Sequence, residues 1–505
     1  MSLLRYWRVL GVLTLVLAEA GCATSQAARK PSTPAEWRAE MQPPLTEEQA
    51  SKIAEGLTLP DAIALGLERN PAVAAARQRW FGAIKVEPQA VTPPDPMLQA
   101  GYQFESVETR VGPQQSSIGL TQQIPWPQKL WAKGRIAGVN SDIAQLRYEA
   151  ALRDLIVQTK DSYYELFYLD QALPITEKIE EMLRNDAILA YSELTVGRTQ
   201  INEAFRAESQ AAQLDYDRIL LVEQRAAQAE RMRSLLNLPP DTEIGPVRGA
   251  PTYEVASSID ELFDRAEKYA EILKIRGLET QRAAYETFLA KLSRIPDISL
   301  GFSYINTSPA RVTPAARISS LDTQVQNLNN ALTALNANTN PKIPQQPTPL
   351  RPSDSGKDPL IGLFSMNLPI YQWRNRALIQ EQKALEQAMR LEAMNDLDAV
   401  RAAVAQTYFR ARLTERLVKL YDDTLLPQAE AVMNQAEIFF RNDQASFSNV
   451  IETTLAYHNF TLARLRAVAD HGQAIDRLEQ VVGTTTEHRT EPEPPAAPAV
   501  EETAR

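Results

Sequence analysis

The sequence predicts a mainly α-helical chain carrying two pairs of short β-strands, in the order helix, strand, strand, long helix, turn, helix, followed by the same order again. Three observations predict it. Ala, Leu, Gln, Glu and Arg dominate long stretches while Gly is sparse, the profile of long helices. Apolar residues alternate with period two in four places, which marks strands with one apolar face. These features fall in the same order in both halves, so an internal repeat organises the chain.

The N-terminus, residues 1–21, reads as a secretory signal: Arg5 and Arg8 precede the apolar stretch VLGVLTLVL at residues 9–17. Two processing sites are open. Ala18-Glu19-Ala20 has the small-x-small form of ordinary cleavage. The only cysteine, Cys22, follows Ala20-Gly21 where a bacterial lipoprotein carries its acylated cysteine, although Glu19 stands where that motif normally has leucine. A lone cysteine in an exported chain has no internal disulfide partner, so lipidation is the reading that gives Cys22 a role. Residues 22–57 are polar and Pro-bearing, an extended periplasmic lead-in. The first repeat spans 58–240, a linker 241–257, and the second repeat 258–483. The tail, 484–505, has almost nothing to bury and is expected to be disordered.

Each repeat opens on an amphipathic helix, residues 59–91 and 259–294, followed by a Pro-Asp turn, Pro94-Asp95 and Pro296-Asp297. The next strand is marked by Leu98, Ala100, Tyr102 and Phe104 in the first half, and by Ile298, Leu300, Phe302 and Tyr304 in the second. Its partner is marked by Ile118, Leu120 and Ile124, and by Leu360, Phe364, Met366 and Leu368. Both partners stop at a proline, Pro125 and Pro369, which ends a strand ladder and suits the start of a helix. About seventy residues then pass without a Gly-Pro pair, a helix on the order of 100 Å long. No globular core needs that length. The turns are TVGRT at 195–199 and RNDQ at 441–444, and return helices end at Leu238-Pro239-Pro240 and Val482-Gly483.

Composition excludes several classes of function. A formal net charge of −10 leaves nothing to neutralise phosphates, so nucleic acid is excluded as a partner. A mean hydropathy of −0.31 and the absence of a long internal apolar run exclude a multi-span helical membrane protein. A β-barrel stays open, because barrel strands are short and alternate in polarity. Four strands cannot close a barrel, and an open sheet cannot stand in a bilayer with bare edges. Symmetric association removes the edges, so the chain has to oligomerise. The histidines, His458, His471 and His488, are scattered, and there is no phosphate-binding glycine loop or His-x-x-x-His pair. The reading is no enzyme, no cofactor and no metal site.

The words that fill this layout carry a resemblance. LTLPDAIALGLERNP at 57–71, PDPMLQAGY at 94–102, QQIPWPQKLWAKG at 122–134 and YSELTVGRTQINEAFRAE at 191–208 resemble the outer-membrane efflux protein family, the TolC-like channels. The resemblance covers about residues 58–483, and phrases such as IPWPQKL look most like the branch serving heavy-metal and other resistance-nodulation-division pumps. It implies a homotrimer whose strands, four from each chain, form one twelve-stranded barrel among the outer-membrane lipid. The helices would form a long periplasmic tunnel, with a periplasmic adaptor (membrane fusion) protein docked at its end and an inner-membrane pump of that class supplying the energy. The duct itself would be passive and need no cofactor.

Site residues follow from that resemblance. Val196, Gly197, Arg198 and Thr199 match the family's adaptor-docking tip, where Gly197 can take a positive φ and Arg198 can offer donors to the adaptor. An ordinary helix–helix turn with an exposed charge is the alternative. Asn442, Asp443 and Gln444 form the second tip and depart from the Gly-x-Arg type, although Asn tolerates the left-handed conformation. Glu203 and Glu452 fall where family members place acids that line the closed aperture, a cation-attracting ring, or else are solvated helix-surface carboxylates. Tyr102, Phe104, Phe302, Tyr304 and Phe364 fit a lipid-facing band, with Trp126 and Trp131 at the periplasmic interface.

The loop at 306–359 is far longer than its first-half counterpart. Within it Ile318, Leu321, Val325, Leu328, Leu332 and Leu335 keep an unbroken 3-4 spacing between Pro-rich arms. Two readings are open: three copies meet as a small helical bundle at the extracellular mouth, or the helix folds against its own barrel, which its short length favours. The cargo, drugs, metal ions or protein through a type I secretion route, stays open, as does a periplasmic coiled-coil scaffold. The scaffold leaves the four strands and their prolines without a purpose, and the methionines do not cluster into a soft-metal path.

Overall fold

The computed structural model describes residues 44–485 and 488–490, apart from 106–107, 196–200, 248, 250–252, 313, 338, 341–343, 346–350, 352 and 443. The chain divides into two compact units, each built from several stretches. One holds Met1–Ala75, Ala151–Asp264 and Ala403–Arg505, and its described residues are mainly helical with one strand pair. The other holds Ala76–Ala150 and Arg265–Ala402 and contains a four-stranded sheet. No helix among the described residues is long and apolar enough to cross a membrane.

The lead-in is not extended throughout. Helix α1 spans Glu47–Glu55 and starts at a reciprocal cap: the Thr46 hydroxyl accepts from the Gln49 N–H and the Gln49 side chain accepts from the Thr46 N–H, both at 3.2 Å. Ile53 and Leu57, each 2% exposed, draw the segment into the core.

The opening helix of the first half is three helices, α2 (Leu59–Arg69), α3 (Pro71–Ile84) and α4 (Val86–Val91). Pro71 causes the first break, because its ring disfavours helical geometry at the residue before it; Asn70 is extended at φ −68°, ψ 122°. The Asn70 side-chain oxygen then caps α3, accepting from the Ala72 N–H at 2.9 Å.

Strands β1 (Met97–Tyr102) and β2 (Gln114–Ile124) precede α5 (Pro127–Thr195), a single helix of 69 residues containing Pro174. Helix α6 (Ile201–Leu235) follows and ends where Asn237 takes the left-handed φ of 48°. The Asn237 side chain donates to the Arg69 carbonyl at 3.1 Å, and Asn70 donates to the Leu235 carbonyl at 2.9 Å. These bonds tie the end of α6 to the end of α2. The core around that junction contains Leu57, Leu59, Ala62, Tyr163, Leu166, Met232, Leu236 and Val247.

In the second half the opening helix is α7 (Ile259–Tyr269) and α8 (Glu271–Leu292), separated at the buried, extended Ala270. Then come β4 (Ile298–Thr307), α9 (Pro314–Asn336) and β5 (Leu360–Met366). The long helix is α10 (Gln372–Leu420), a π-helical turn at Tyr421–Leu425, and α11 (Leu426–Arg441). Pro427 explains the turn: it offers no N–H and its ring crowds the carbonyl four residues back, so the helix widens and the Leu426 N–H bonds five residues back, to the Tyr421 carbonyl. The return helix is α12 (Phe447–Val482).

Two short strands were not foreseen. Tyr253–Val255 (β3), in the expected linker, pairs antiparallel with His488–Thr490 (β6), in the tail expected to lack structure. A strand pair needs only backbone donors and acceptors, so a tail with little to bury can still make one.

In the helical unit α5 and α12 approach closely. A Cβ at Gly472 would lie 2.4 Å from the ring of Tyr164, which is 1% exposed, so the glycine sets the distance. Near this contact Lys160 pairs with Asp476 at 2.7 Å and with Glu479 at 3.5 Å. The second oxygen of Asp476 is buried and unpartnered, and burial pushes this carboxyl up to about 6 against the pull of Lys160. A raised carboxyl contributes stability that is fully present below its ordinary value and is lost as pH rises through the raised one. Relative to the wild type, Asp476→Asn should therefore gain thermal stability as pH climbs from about 4 to about 6, then stay level. Melting curves across that range check it; a pH-independent difference between the two proteins would show that Asp476 is charged throughout.

Candidate membrane sheet and helical turns

The sheet has the order β1-β2-β4-β5, antiparallel throughout. Register sorts its residues onto two faces. On one, Leu98 lies opposite Leu120, which faces Phe302; Ala100 pairs Ile118, then Tyr304 and Leu360; Leu300 pairs Phe364; and Ile124 pairs Ile298, then Met366. On the other lie Gln99, Gly101, Ser117, Gly119, Thr121, Gln123, Ser299, Gly301, Ser303 and Ser365, with Met97, Ile305, Ile361 and Leu363 among them.

The apolar face is uncovered by its own chain: Leu98, Phe302, Leu360 and Phe364 are 65–72% exposed. A sheet in water would turn such a face inward. Phe104, foreseen as part of β1, lies beyond its end and is 93% exposed, and Leu368 lies past the end of β5. The outer edges of β1 and β5 have no strand partner among the described residues.

Polar contacts fix the ends of the strands where the helices begin. The Asp297 carboxylate accepts the Trp126 N–H at 3.0 Å and Lys129 Nζ at 2.9 Å, and Lys129 also donates to the Ile295 carbonyl at 2.7 Å. The Asn367 side-chain oxygen accepts the Asp297 N–H at 2.5 Å, and the Asn367 N–H donates to the Asp297 carbonyl at 3.2 Å. One aspartate of the second Pro-Asp turn thus binds β2, β4 and β5 together. In the first half the Gln122 side chain donates to the Pro94 carbonyl at 2.6 Å.

Aromatic residues surround the same level. Trp126 is partly exposed, and Trp131 packs edge-on against Tyr285 and Phe288, with ring centroids 5.9 and 6.0 Å apart. The sequence reading missed Tyr371 and Trp373, an exposed pair 5.1 Å apart. Their signal was present: they follow Pro369 as Trp126 follows Pro125.

In the helical unit, Val196, Gly197, Arg198 and Thr199 lie outside the described residues, as do Asp443 and Cys22. At the second turn Asn442 is at φ −96°, ψ 13°, without using the left-handed region that asparagine tolerates. The turn closes instead by backbone bonds, Asn442 N–H to the Ile438 carbonyl at 3.2 Å and Gln444 N–H to the Phe439 carbonyl at 2.8 Å.

Glu203 lies on α6, its side chain outside the described ones. Glu452, on α12, is half-exposed and pairs with Arg206 of α6 at 2.7 Å; Arg206 also donates to Ser448 Oγ at 2.8 Å. Arg206 was missed because nothing in local spacing couples α6 to α12. Beneath it Leu183, Ala187, Ala190, Ala204, Ala207, Ala211, Leu214 and Ile451 pack α5, α6 and α12 through small side chains. Among the described residues no group of three His, Cys, Asp or Glu could hold a metal ion.

No family model matches the chain, and no curated protein does. Solved structures do. The outer membrane protein VceC from Vibrio cholerae is similar at 16% identity and a TM-score of 0.65, over 85% of this chain and 97% of that one. The CmeC outer membrane channel of Campylobacter jejuni gives 11% and 0.63, over 85% and 86%. The MtrE outer membrane channel of Neisseria gonorrhoeae, in its open state, gives 13% and 0.62, over 88% and 94%. The fold is that of outer-membrane channels of the TolC-like kind.

The junction can be tested alone. Lys129 and Asp297 are only 12% and 19% exposed, so removing one leaves the other part-buried without its partner. Lys129→Ala should cost about 1–3 kcal/mol, and Lys129→Ala with Asp297→Asn less than the sum of the two single changes. Thermal unfolding of the detergent-solubilised protein reads this; strict additivity would mean the contact contributes nothing.

Proposed function

We propose that the chain is the outer-membrane channel of a tripartite efflux system, a passive homotrimeric duct that exports small toxic solutes, drugs or metal ions, across the periplasm and outer membrane. The observation that carries this reading is the sheet: one exposed apolar face, an opposite face rich in Ser, Gly, Gln and Thr, and two outer edges without strand partners among the described residues. That is the surface of a barrel wall, lipid on one side and a water-filled lumen on the other, with each edge waiting for the next copy. Three copies would close twelve strands. The likeness to outer-membrane channels over most of their length supports the same reading. A coiled-coil scaffold would have no use for an uncovered apolar sheet face.

In this reading the repeated helices form the tunnel, an adaptor protein docks at the turns around Val196–Thr199 and Asn442–Gln444, and an inner-membrane pump of the resistance-nodulation-division class supplies the energy. Residues 1–21 direct export, and acylation of Cys22 would anchor the mature chain. Nothing in a polar helical tunnel selects strongly among cargoes, so selection belongs to the pump. The Arg206–Glu452 pair bears on the aperture: while it holds, Glu452 carries a compensated charge, and Glu203 would supply most of any cation-attracting ring.

Light scattering with negative-stain images of the detergent-extracted protein tests the reading; an elongated particle of three chains is expected, and a monomer or dimer without a detergent belt would overturn it. In planar bilayers, Glu203→Gln with Glu452→Gln should reduce cation selectivity several-fold. Unchanged selectivity would remove these two acids from the aperture while leaving the duct intact.

A further inference from the structure

Helix α9, in the long insertion between β4 and the edge strand β5, lies against its own chain by its polar side and turns its apolar side outward. Over its 23 residues the apolar stripe Ile318, Leu321, Val325, Leu328, Leu332 and Leu335 is uncovered, each side chain 53–77% exposed. The side turned to its own chain is small and polar instead: Ser320 is 6% exposed and Ala334 7%, with Asn327 between them. Asn327 fastens that side to the return arm, its oxygen accepting the Gln345 N–H at 2.8 Å and its amide donating to the Gln345 carbonyl at 2.5 Å. The side by which the helix lies against its own chain is therefore not the stripe. Its docking is satisfied through amide and hydroxyl groups, and the stripe is left over.

The stripe has the register of a coiled coil. Ile318, Val325 and Leu332 take the a positions and Leu321, Leu328 and Leu335 the d positions of a heptad. The only charged side chains on α9 are Arg317 and Asp322, both exposed. Arg317 falls at g and Asp322 at the following e. In a parallel coiled coil those two positions meet across the seam, so a copy of α9 offers Asp322 to its neighbour's Arg317 and Arg317 to the next copy's Asp322. Cyclic symmetry makes helices that meet around its axis parallel, the orientation this pairing needs. The charges thus complement a second copy of the same helix.

We propose that α9 is an interface between copies of this chain: three α9 helices join through the Ile318–Leu335 stripe as a short parallel coiled coil at the extracellular end of the barrel, with Arg317 and Asp322 paired between neighbours. The proposal rests on the trimeric reading above, which sets the number of copies; Ile and Val at a with Leu at d would by themselves suit two strands. A stripe of about three heptads is marginal as an isolated helix bundle. Here each helix is already formed and held by its arms, so ordering it adds little cost.

The test is oxidative cross-linking of the full-length protein carrying Leu328→Cys at a d position or, separately, Leu321→Cys at another. Gln326→Cys, exposed and off the stripe, is the control, and the unaltered chain gives the background from Cys22. Molecular mass is measured on each preparation. In a three-chain particle both d-position variants should form a covalent dimer in up to roughly two-thirds of the chains, because two of three cysteines at an axis can pair, while Gln326→Cys stays at background. A three-chain particle whose d-position cysteines do not cross-link overturns the proposal and leaves the duct standing. Within that outcome, ready labelling by a water-soluble maleimide would mean a stripe in water, and protection would mean a stripe in lipid. Absence of a three-chain particle would defeat the functional reading itself, and the proposal with it.

Discussion

A β-strand set in hydrocarbon has no water to satisfy its backbone, so every N–H and C=O on both edges must find another strand. This sheet meets that requirement in its interior and, among the described residues, leaves it open at the outer edges of β1 and β5. Other features are arranged around the missing pairing. The prolines Pro125 and Pro369 stop the ladders where helices must begin, and Asp297, Lys129 and Asn367 hold those junctions so that three strands keep a fixed stagger. If the proposed barrel is assembled from separate chains, that stagger would have to be in place before the chains meet, because a slip of one residue would exchange the apolar and polar faces.

The helical unit works under a different constraint. Helices that pass closely do so through small residues: Gly472 against Tyr164, and Ala187, Ala190, Ala204, Ala207 and Ala211 where α5 meets α6. Ion pairs join its neighbouring helices, buried for Lys160 with Asp476 and half-exposed for Arg206 with Glu452. The close packing is dry and short-range, while the ion pairs choose which helix faces which.

Much of this was legible in the sequence because it is local. Period-two alternation located the four strands of the larger sheet, and Pro125 marked the end of β2, while Phe104 and Leu368 overran β1 and β5. The break at Asn70 could have been read from Pro71, and α1 from Thr46 and Gln49, since both signals lie within four residues. The Ala270 break and the widened turn before Pro427 are less plain, one lacking any proline and the other marked only by the proline beyond it. What could not be read was pairing across the chain. Lys129 with Asp297 and Arg206 with Glu452 join residues brought together only by the fold. The stripe on α9 shows the same limit from another side: its spacing was plain, but which side of the helix the chain would cover was not.

The π-helical turn at Tyr421–Leu425 has a consequence for everything that follows it. One residue more per turn advances the helix face by about 100° without ending the rod. Residues of α11 therefore cannot be assigned to sides by counting from α10; the seam they present is offset, as a screw thread is offset by one skipped groove. The stretch Leu426–Arg441 thereby gains an azimuth of its own relative to the turns just before Tyr421, so the bearing of the turn at Asn442 is set by a local irregularity.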